Sequence, residues 1–275
     1  DNDSIVALKG ADRVRKRPAV IFGSDGLDGC QHAMFEIFSN SIDEAREGHG
    51  SRIVLTRYAD GSIECEDFGR GIPVDYNERE KRYNWELVFC ELYAGGKYKE
   101  DGGDSYEYSL GLNGLGLCST QYSSEYMDVE IYRDGMRYTL RFEKGENVGG
   151  LKKEPSKRRQ TGTRIRWKPD LDVFTDIAIP LEYYRETVRR QAVVNPNIVF
   201  VLRNQVGKAF EEEEFLYQNG ITDYLAELAG DGALTPIQTW TAERQGRDRA
   251  DRPEYKVKLN TAVCFSNRTA LTEYY

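Results

Sequence analysis

A chain of 275 residues is long enough for one large or two modest domains with a real apolar core. Charged residues make up 31% and aromatics 12%, an ordinary globular balance that excludes fibrous or disordered classes. The net charge of -8 weighs against a broad nucleic-acid grip, so any DNA contact would be local or made elsewhere.

No run approaches ~18 apolar residues and no charged-then-apolar leader opens the chain, which predicts no membrane span and a cytoplasmic location. Cys30, Cys65, Cys90, Cys118 and Cys264 are irregularly spaced, with no C-x-x-C pair. That pattern argues against a disulfide framework and a zinc site. With only His32 and His49, imidazole-rich metal sites and Ser-His-Asp triads are poorly supplied.

Residues 1–10 read as an extended arm, and 11–23 as a short basic helix stopped near Pro18, its charges more simply solvated than phosphate-binding. Residues 31–48 form the helix around which the chain is organised. Met34, Ile37, Phe38, Ser41, Ile42 and Ala45 fall in one stripe, the spacing of a buried face. Glu36, Asn40, Asp43 and Glu44 fall in another. Asn40 offers a neutral oxygen suited to a hard cation such as Mg2+, and Glu36, one turn earlier, is placed to polarise a water beside it.

Strands at 52–58 and 62–66 flank an Asp-Gly step, a hairpin signal. Asp67 closes the second strand and DFGRGIP follows it, with Gly69 and Gly71 letting backbone approach a ligand. Residues 84–93 are helical by period. Residues 94–119 then carry seven glycines without a clean period, too long for a passive turn. Their end, Gly111-Leu112-Asn113-Gly114-Leu115-Gly116, reaches a short helical run, as a phosphate-binding lid would, but no Gly-Lys-Ser/Thr follows as in Walker A.

A second hairpin turns at Asp134-Gly135. Thr161-Gly162-Thr163 opens a strand, 180–194 is an amphipathic helix, and 198–203 with 208–212 form a strand pair. The acids at 211–214 read as a solvated strand end. A short helix over 221–229, a Gly-Asp-Gly break and strands at 237–242 and 255–265 are too few for an independent domain. This predicts a boundary near residue 220.

FEIFSNSIDEA, EDFGRGIP, YAGGKY, GLNGLG and TGT, in that order, resemble the ATP-binding domain of the B subunits of bacterial type II DNA topoisomerases, gyrase and topoisomerase IV. ADRVRKRPAVIFG and TAVCFSN extend the likeness over essentially the whole chain. The resemblance implies an α+β two-layer sandwich of the GHKL type: a mixed eight-stranded sheet with helices on one face over residues 1–220. A truncated transducer segment over 221–275 would follow.

It further implies ATP in a cleft, Glu36 as general base and Asn40 as Mg2+ ligand. Asp67 would take the adenine amino group, with Thr163 helping through a water. Gly69, Gly71, Ile72, Pro73 and Val88 would form the adenine wall, and Arg70 would pair with Glu44. Asp43, Gly95, Gly96 and Lys97 fall in the matching motifs. Gly111, Leu112, Gly114, Leu115 and Gly116 would donate backbone N–H groups to phosphates.

The implied partners are a second copy through ATP-dependent closure, a DNA-cleaving A-type subunit, duplex DNA and ATP-competitive inhibitors. The chain departs from the family at Asn113, where a His is common, and near Ile21, where a Tyr is. A catalytic Lys is expected beyond Tyr275, so the chain is expected to bind ATP better than it hydrolyses it. Alternatives are another GHKL ATPase of the mismatch-repair type, or a nucleotide-gated dimerisation module without efficient turnover.

Overall fold

The structure is a computed structural model that describes residues 7–92, 116–247 and 254–267. Gly95, Gly96, Lys97, Gly111, Leu112, Asn113, Gly114 and Leu115 lie outside the described residues, as does most of the expected arm.

Helices α1 (Asp12–Arg15) and α2 (Pro18–Phe22) come first. The short basic helix α1 stops at Arg15, before Pro18 as expected, but Pro18 then starts a second helix, because its missing N–H costs nothing at the first helical position. Next are α3 (Leu27–Arg46), β1 (Arg52–Arg57) and β2 (Ile63–Asp67). A miniature pair, β3 (Tyr76–Asn77) and β4 (Arg82–Tyr83), leads into α4 (Asn84–Cys90). Helix α5 (Gly116–Tyr122) precedes β5 (Ser124–Arg133) and β6 (Met136–Glu143). Their two-residue turn, Asp134-Gly135, has φ of 52° and 71°, the left-handed pair such a turn needs. Then come β7 (Glu146–Asn147), β8 (Lys152–Pro155), β9 (Gly162–Pro169), α6 (Leu181–Val194), β10 (Val199–Val206) and β11 (Ala209–Phe215). Helix α7 (Ile221–Ala229) and the hairpin of β12 (Gln238–Gly246) and β13 (Tyr255–Val263) end the described chain.

The main sheet runs β11-β10-β1-β2-β9-β5-β6-β7, with β8 also paired to β6. It is mixed, since β1 and β10 are parallel and the other pairs antiparallel. It has nine described strands instead of eight because β6 is bordered by two short strands, β8 along Met136–Thr139 and β7 along Phe142–Glu143. Both are too short and polar to announce themselves by periodicity.

Period-two alternation divides the faces. Ile53, Leu55, Cys65, Ile165 and Trp167 are buried in the core that the helices cover. Glu64, Arg166, Asp128 and Arg141, in register across four strands, lie on the open side. The acids at 211–214 belong to β11 itself and split between faces. Glu212 pairs with Arg203 at 2.8 Å and Glu213 with Arg185 of α6 at 2.5 Å. Glu211, Glu212 and Glu214 are exposed and Glu213 is half-buried, so the run is solvated as expected, with Glu212, Glu213 and Glu214 also held in ion pairs.

Helix α3 buries Met34, Ile37, Phe38, Ser41, Ile42 and Ala45 as its spacing predicts, and Cys30, Ala33, Ser39 and Asp43 besides. The stripe is wider than expected because α5 also packs on α3, with Thr120 Oγ1 donating to the Ala33 carbonyl at 2.9 Å.

Candidate functional site

Two clusters sit along α3. At the first, Asp67, the last residue of β2, is buried between helix and sheet. Its Oδ1 accepts from the Gly69 N–H at 3.1 Å and the Thr163 N–H at 3.2 Å, and its Oδ2 from Ser41 Oγ at 2.9 Å. Burial pushes this carboxyl up from 3.8 to about 6, against the opposing pull of those hydrogen bonds. Thr163 Oγ1 in turn accepts from the Ile72 N–H at 3.1 Å, and Thr161 donates to the Gly69 carbonyl.

Glycine is required here by close approach. A Cβ on Gly162 would lie 2.1 Å from the Asp67 carbonyl oxygen, and one on Gly69 2.2 Å from Glu44 Cγ. Gly71, at φ 81°, lies against the Tyr132 carbonyl. Ile72 and Val88 are half-buried against the core, while Pro73 is exposed.

Glu44 closes the edge of this cluster. Its carboxylate accepts from the Arg70 N–H at 2.8 Å, Nε at 2.8 Å and an Nη at 2.9 Å, and Arg70 also reaches Glu47 at 2.6 Å. Burial raises the Glu44 pKa, but the Arg70 hydrogen bonds outweigh it and hold the carboxyl below its usual value. The Arg70–Glu44 pair expected from the motif is present.

The second cluster surrounds Glu36, two turns earlier and about 12 Å along the helix axis from Glu44 at 1.5 Å per residue. His32 Nε2 lies 3.1 Å from Glu36 Oε1, and His32 Nδ1 3.3 Å from the Phe22 carbonyl. The Glu36 hydrogen bond leads in raising the imidazole pKa above 6.5, with burial opposing it. Gly116, at the start of α5, packs so closely that a Cβ there would lie 2.3 Å from Glu36 Oε2. Asn40, half-exposed, stands one turn beyond Glu36. Asp43 shares the angular stripe but is buried.

Among the described residues no three His, Cys, Asp or Glu side chains gather as a metal cage. Asn40 next to Glu36 is instead the sparse donor set that suits Mg2+ held mostly by phosphate and water oxygens.

Sequence reasoning missed His32 and Ser41. The i,i+4 spacing of His32 and Glu36 was the available signal for the first. Ser41, a small polar residue inside an apolar stripe, was the signal for the second.

The family described as "Histidine kinase-, DNA gyrase B-, and HSP90-like ATPase" matches residues 26–173, more than half of the chain and both clusters. The chain belongs to this family. Among the histidine kinase-, DNA gyrase B- and HSP90-like ATPases it is similar to the DNA gyrase B protein of Synechocystis, 35% identical over 237 residues, covering 86% of this chain and 21% of that one. The gyrase B protein of Thermotoga maritima is 36% identical over 226 residues, covering 82% and 35%. The DNA topoisomerase 4 B protein of Enterococcus faecalis is 34% identical over 245 residues, covering 88% and 35%.

The chain thus spans between 21% and 35% of the length of these relatives. A crystal structure of the 43K ATPase domain of Thermus thermophilus gyrase B with an aminocoumarin superposes with a TM-score of 0.70 at 28% identity, covering 88% of this chain and 60% of that one. The α+β fold with a mixed sheet is that of this domain. No helix among the described residues is long and apolar enough to cross a membrane.

Proposed function

We propose that this chain is the ATP-binding and hydrolysing region of a type II DNA topoisomerase of the gyrase B kind, coupling ATP-driven closure of two copies to passage of duplex DNA. The observation that carries this reading is the double use of α3. One turn of the helix fixes Glu36 between His32 and Gly116, and another sends Ser41 into the buried Asp67.

Asp67 would take the adenine amino group, using lone pairs left beyond its three internal hydrogen bonds, with Thr163 and Ile72 shaping the wall beside it. Glu36 would accept the proton of the attacking water, with His32 Nε2 3.1 Å from its Oε1 helping to orient the carboxylate. Water is a poor nucleophile at neutral pH, so a positioned carboxylate is the group the reaction lacks. Asn40 would hold Mg2+, which when bound neutralises charge on the triphosphate.

The phosphate-binding role of Gly111, Leu112, Asn113, Gly114 and Leu115, and that of Gly95, Gly96 and Lys97, belongs to the same proposal. So do Asp43 at the cleft, the DNA-cleaving A-type protein as partner, ATP-competitive inhibitors as ligands and a cytoplasmic location. Residues 221–275 would begin a transducer domain. In support, the β12–β13 pair exposes Trp240 and Leu259, apolar surface of the kind that packs against a neighbouring element.

Nucleotide binding and steady-state phosphate release test the reading together. Glu36→Ala should abolish release and spare binding, while Asp67→Asn should lose binding. Retention of turnover in Glu36→Ala would sink the catalytic assignment.

A further inference from the structure

The net charge conceals a local excess of the opposite sign. Residues 152–159 read KKEPSKRR, five cations and one acid. The first four form β8, which pairs with β6 and has no described strand on its outer side. The one acid, Glu154, is taken by Arg137 at 2.6 Å. Arg158 turns inward to Glu66 at 3.0 Å and over the Tyr132 ring at 4.1 Å. Lys152, Lys153, Lys157 and Arg159 are exposed, and among the described residues none of the four forms an ion pair.

Beside this edge the open face of the sheet holds a groove of about 680 Å³ with Lys152 and the Gly149–Gly150 turn at its rim. Arg137, Arg141, Arg164 and Arg166 line it, but each is ion-paired, to Glu130 and Glu154, to Asp128 and Glu143, to Glu130, and to Asp60 respectively, so the uncompensated charge is that of the edge itself. Lysine and proline on an edge strand also keep sheets from pairing with one another. That role accounts for Lys152, Lys153 and Pro155 but not for Lys157 and Arg159, which follow the strand. Uncompensated lysines on a flexible stem suit phosphate oxygens, which need charge and no fixed geometry. Extended chain rises about 3.3 Å per residue, whereas a duplex carries one charge per ~1.7 Å of axis, so a segment this long meets several phosphates.

We propose that the β8 edge, through Lys152, Lys153, Lys157 and Arg159, is a local docking surface for the phosphate backbone of duplex DNA. Lys152, opposite Thr139, lies on the open face, whereas Lys153 stacks over the ring of Tyr138 on the helix-covered side, and the segment ends two residues before Thr161, whose hydroxyl donates to the Gly69 carbonyl beside Asp67. The choice of a duplex over another polyanion rests on the function proposed above; the charge asymmetry does not. Contacts of this kind position a duplex without reading its bases.

The test is fluorescence anisotropy of a labelled random-sequence duplex titrated with the 275-residue chain across salt concentrations, without nucleotide. Each neutralised phosphate contributes about -0.9 to the slope of log affinity against log salt, so two to four contacts predict a slope of roughly -2 to -4. The combined variant K152Q/K153Q/K157Q/R159Q is expected to lose at least ~10-fold in affinity at low salt and to flatten that slope. A control with four exposed cations removed elsewhere, K9Q/R17Q/K81Q/K208Q, is expected to bind close to the parent chain.

No duplex binding at low salt, an unchanged edge variant, or an equal loss in the control would each overturn the proposal. Tighter binding of single-stranded RNA of the same length would overturn the duplex as occupant. ATP binding and thermal unfolding measured on the same preparations separate the two failures: a chain that binds ATP but no duplex loses only the edge assignment.

Discussion

Ser41 on α3 donates its hydroxyl to Asp67 Oδ2 at 2.9 Å, so the face of the helix that packs as core also ties the helix to the end of β2. Burial beneath the helix raises this carboxyl from 3.8 to about 6, and the Ser41 hydroxyl is among the hydrogen bonds that pull it back down. The sign follows from the direction of the shift. The native chain takes up a proton at Asp67 more readily than the unfolded chain, so this residue's contribution to stability falls as pH rises from about 4 to about 6. Adenine recognition runs the other way, because the amino group needs the ionised acceptor. Nucleotide affinity is therefore expected to weaken below about pH 6 while stability does not. Ser41→Ala, which leaves a buried charged acceptor short of a donor at a cost of about 1–3 kcal/mol, should move that midpoint upward. Isothermal titration with a non-hydrolysable nucleotide across pH checks both shifts, and a pH-independent affinity would remove Asp67 from the base site.

Gly116 is the residue on which the Glu36 carboxylate rests. In Gly116→Ala the added methyl meets Glu36 Oε2 at 2.3 Å and Cδ at 3.2 Å, so the carboxylate has to swing away. That end of the side chain is flexible, and stability should change by no more than about 1 kcal/mol. Turnover should nonetheless fall by a large part of the ~10²–10⁴-fold expected on removing a general base outright. Phosphate release set beside thermal unfolding distinguishes this from general misfolding, which would lower both.

His32 should matter to rate more than to binding. Its pKa is raised above 6.5, first by the Glu36 hydrogen bond, so the charged pair stabilises the fold fully below 6.5 and loses that contribution as pH rises through the higher folded value. His32→Ala is expected to lower turnover by less than loss of Glu36 does, to leave nucleotide affinity close to wild type, and to flatten the alkaline side of the pH–stability curve. Equal losses in binding and turnover would assign His32 a purely structural part.

Much of this arrangement was legible in the chain because period and turn chemistry are local. The α3 stripe, the Asp134-Gly135 hairpin and the α7 boundaries follow from side-chain spacing and left-handed turn residues. Contacts made across long separations were not legible. Nothing near Pro18 in the sequence tells that Arg15 would reach Asp170 at 2.5 Å, or that Asp43 would be buried although its angle matches Glu36. Likewise the short strands β7 and β8 exist only because β6 offers them an edge. The motif resemblance supplied roles for glycines, whereas the physical need for Gly162 and Gly116 emerges only from what a Cβ would strike.

Gly162 tests how rigidly the Asp67 cluster depends on backbone. It stands at φ 152°, and a Cβ there would meet the Asp67 carbonyl oxygen at 2.1 Å and its carbon at 3.1 Å, backbone atoms that cannot step aside. Gly150, at φ 68°, has nothing within 4 Å of the same added atom. Gly150→Ala therefore carries left-handed strain alone, about 1–2 kcal/mol, whereas Gly162→Ala adds overpacking of about 1–3 kcal/mol. At about 2–4 °C per kcal/mol for a chain of this size, unfolding temperature should drop by several degrees more in Gly162→Ala. Because the neighbouring Thr163 N–H is a donor to Asp67, only this variant should also lose nucleotide affinity. Paired thermal unfolding and nucleotide titration of the two variants decide the point, and similar behaviour in both would mean that β2 and β9 separate at this end without disturbing the carboxylate.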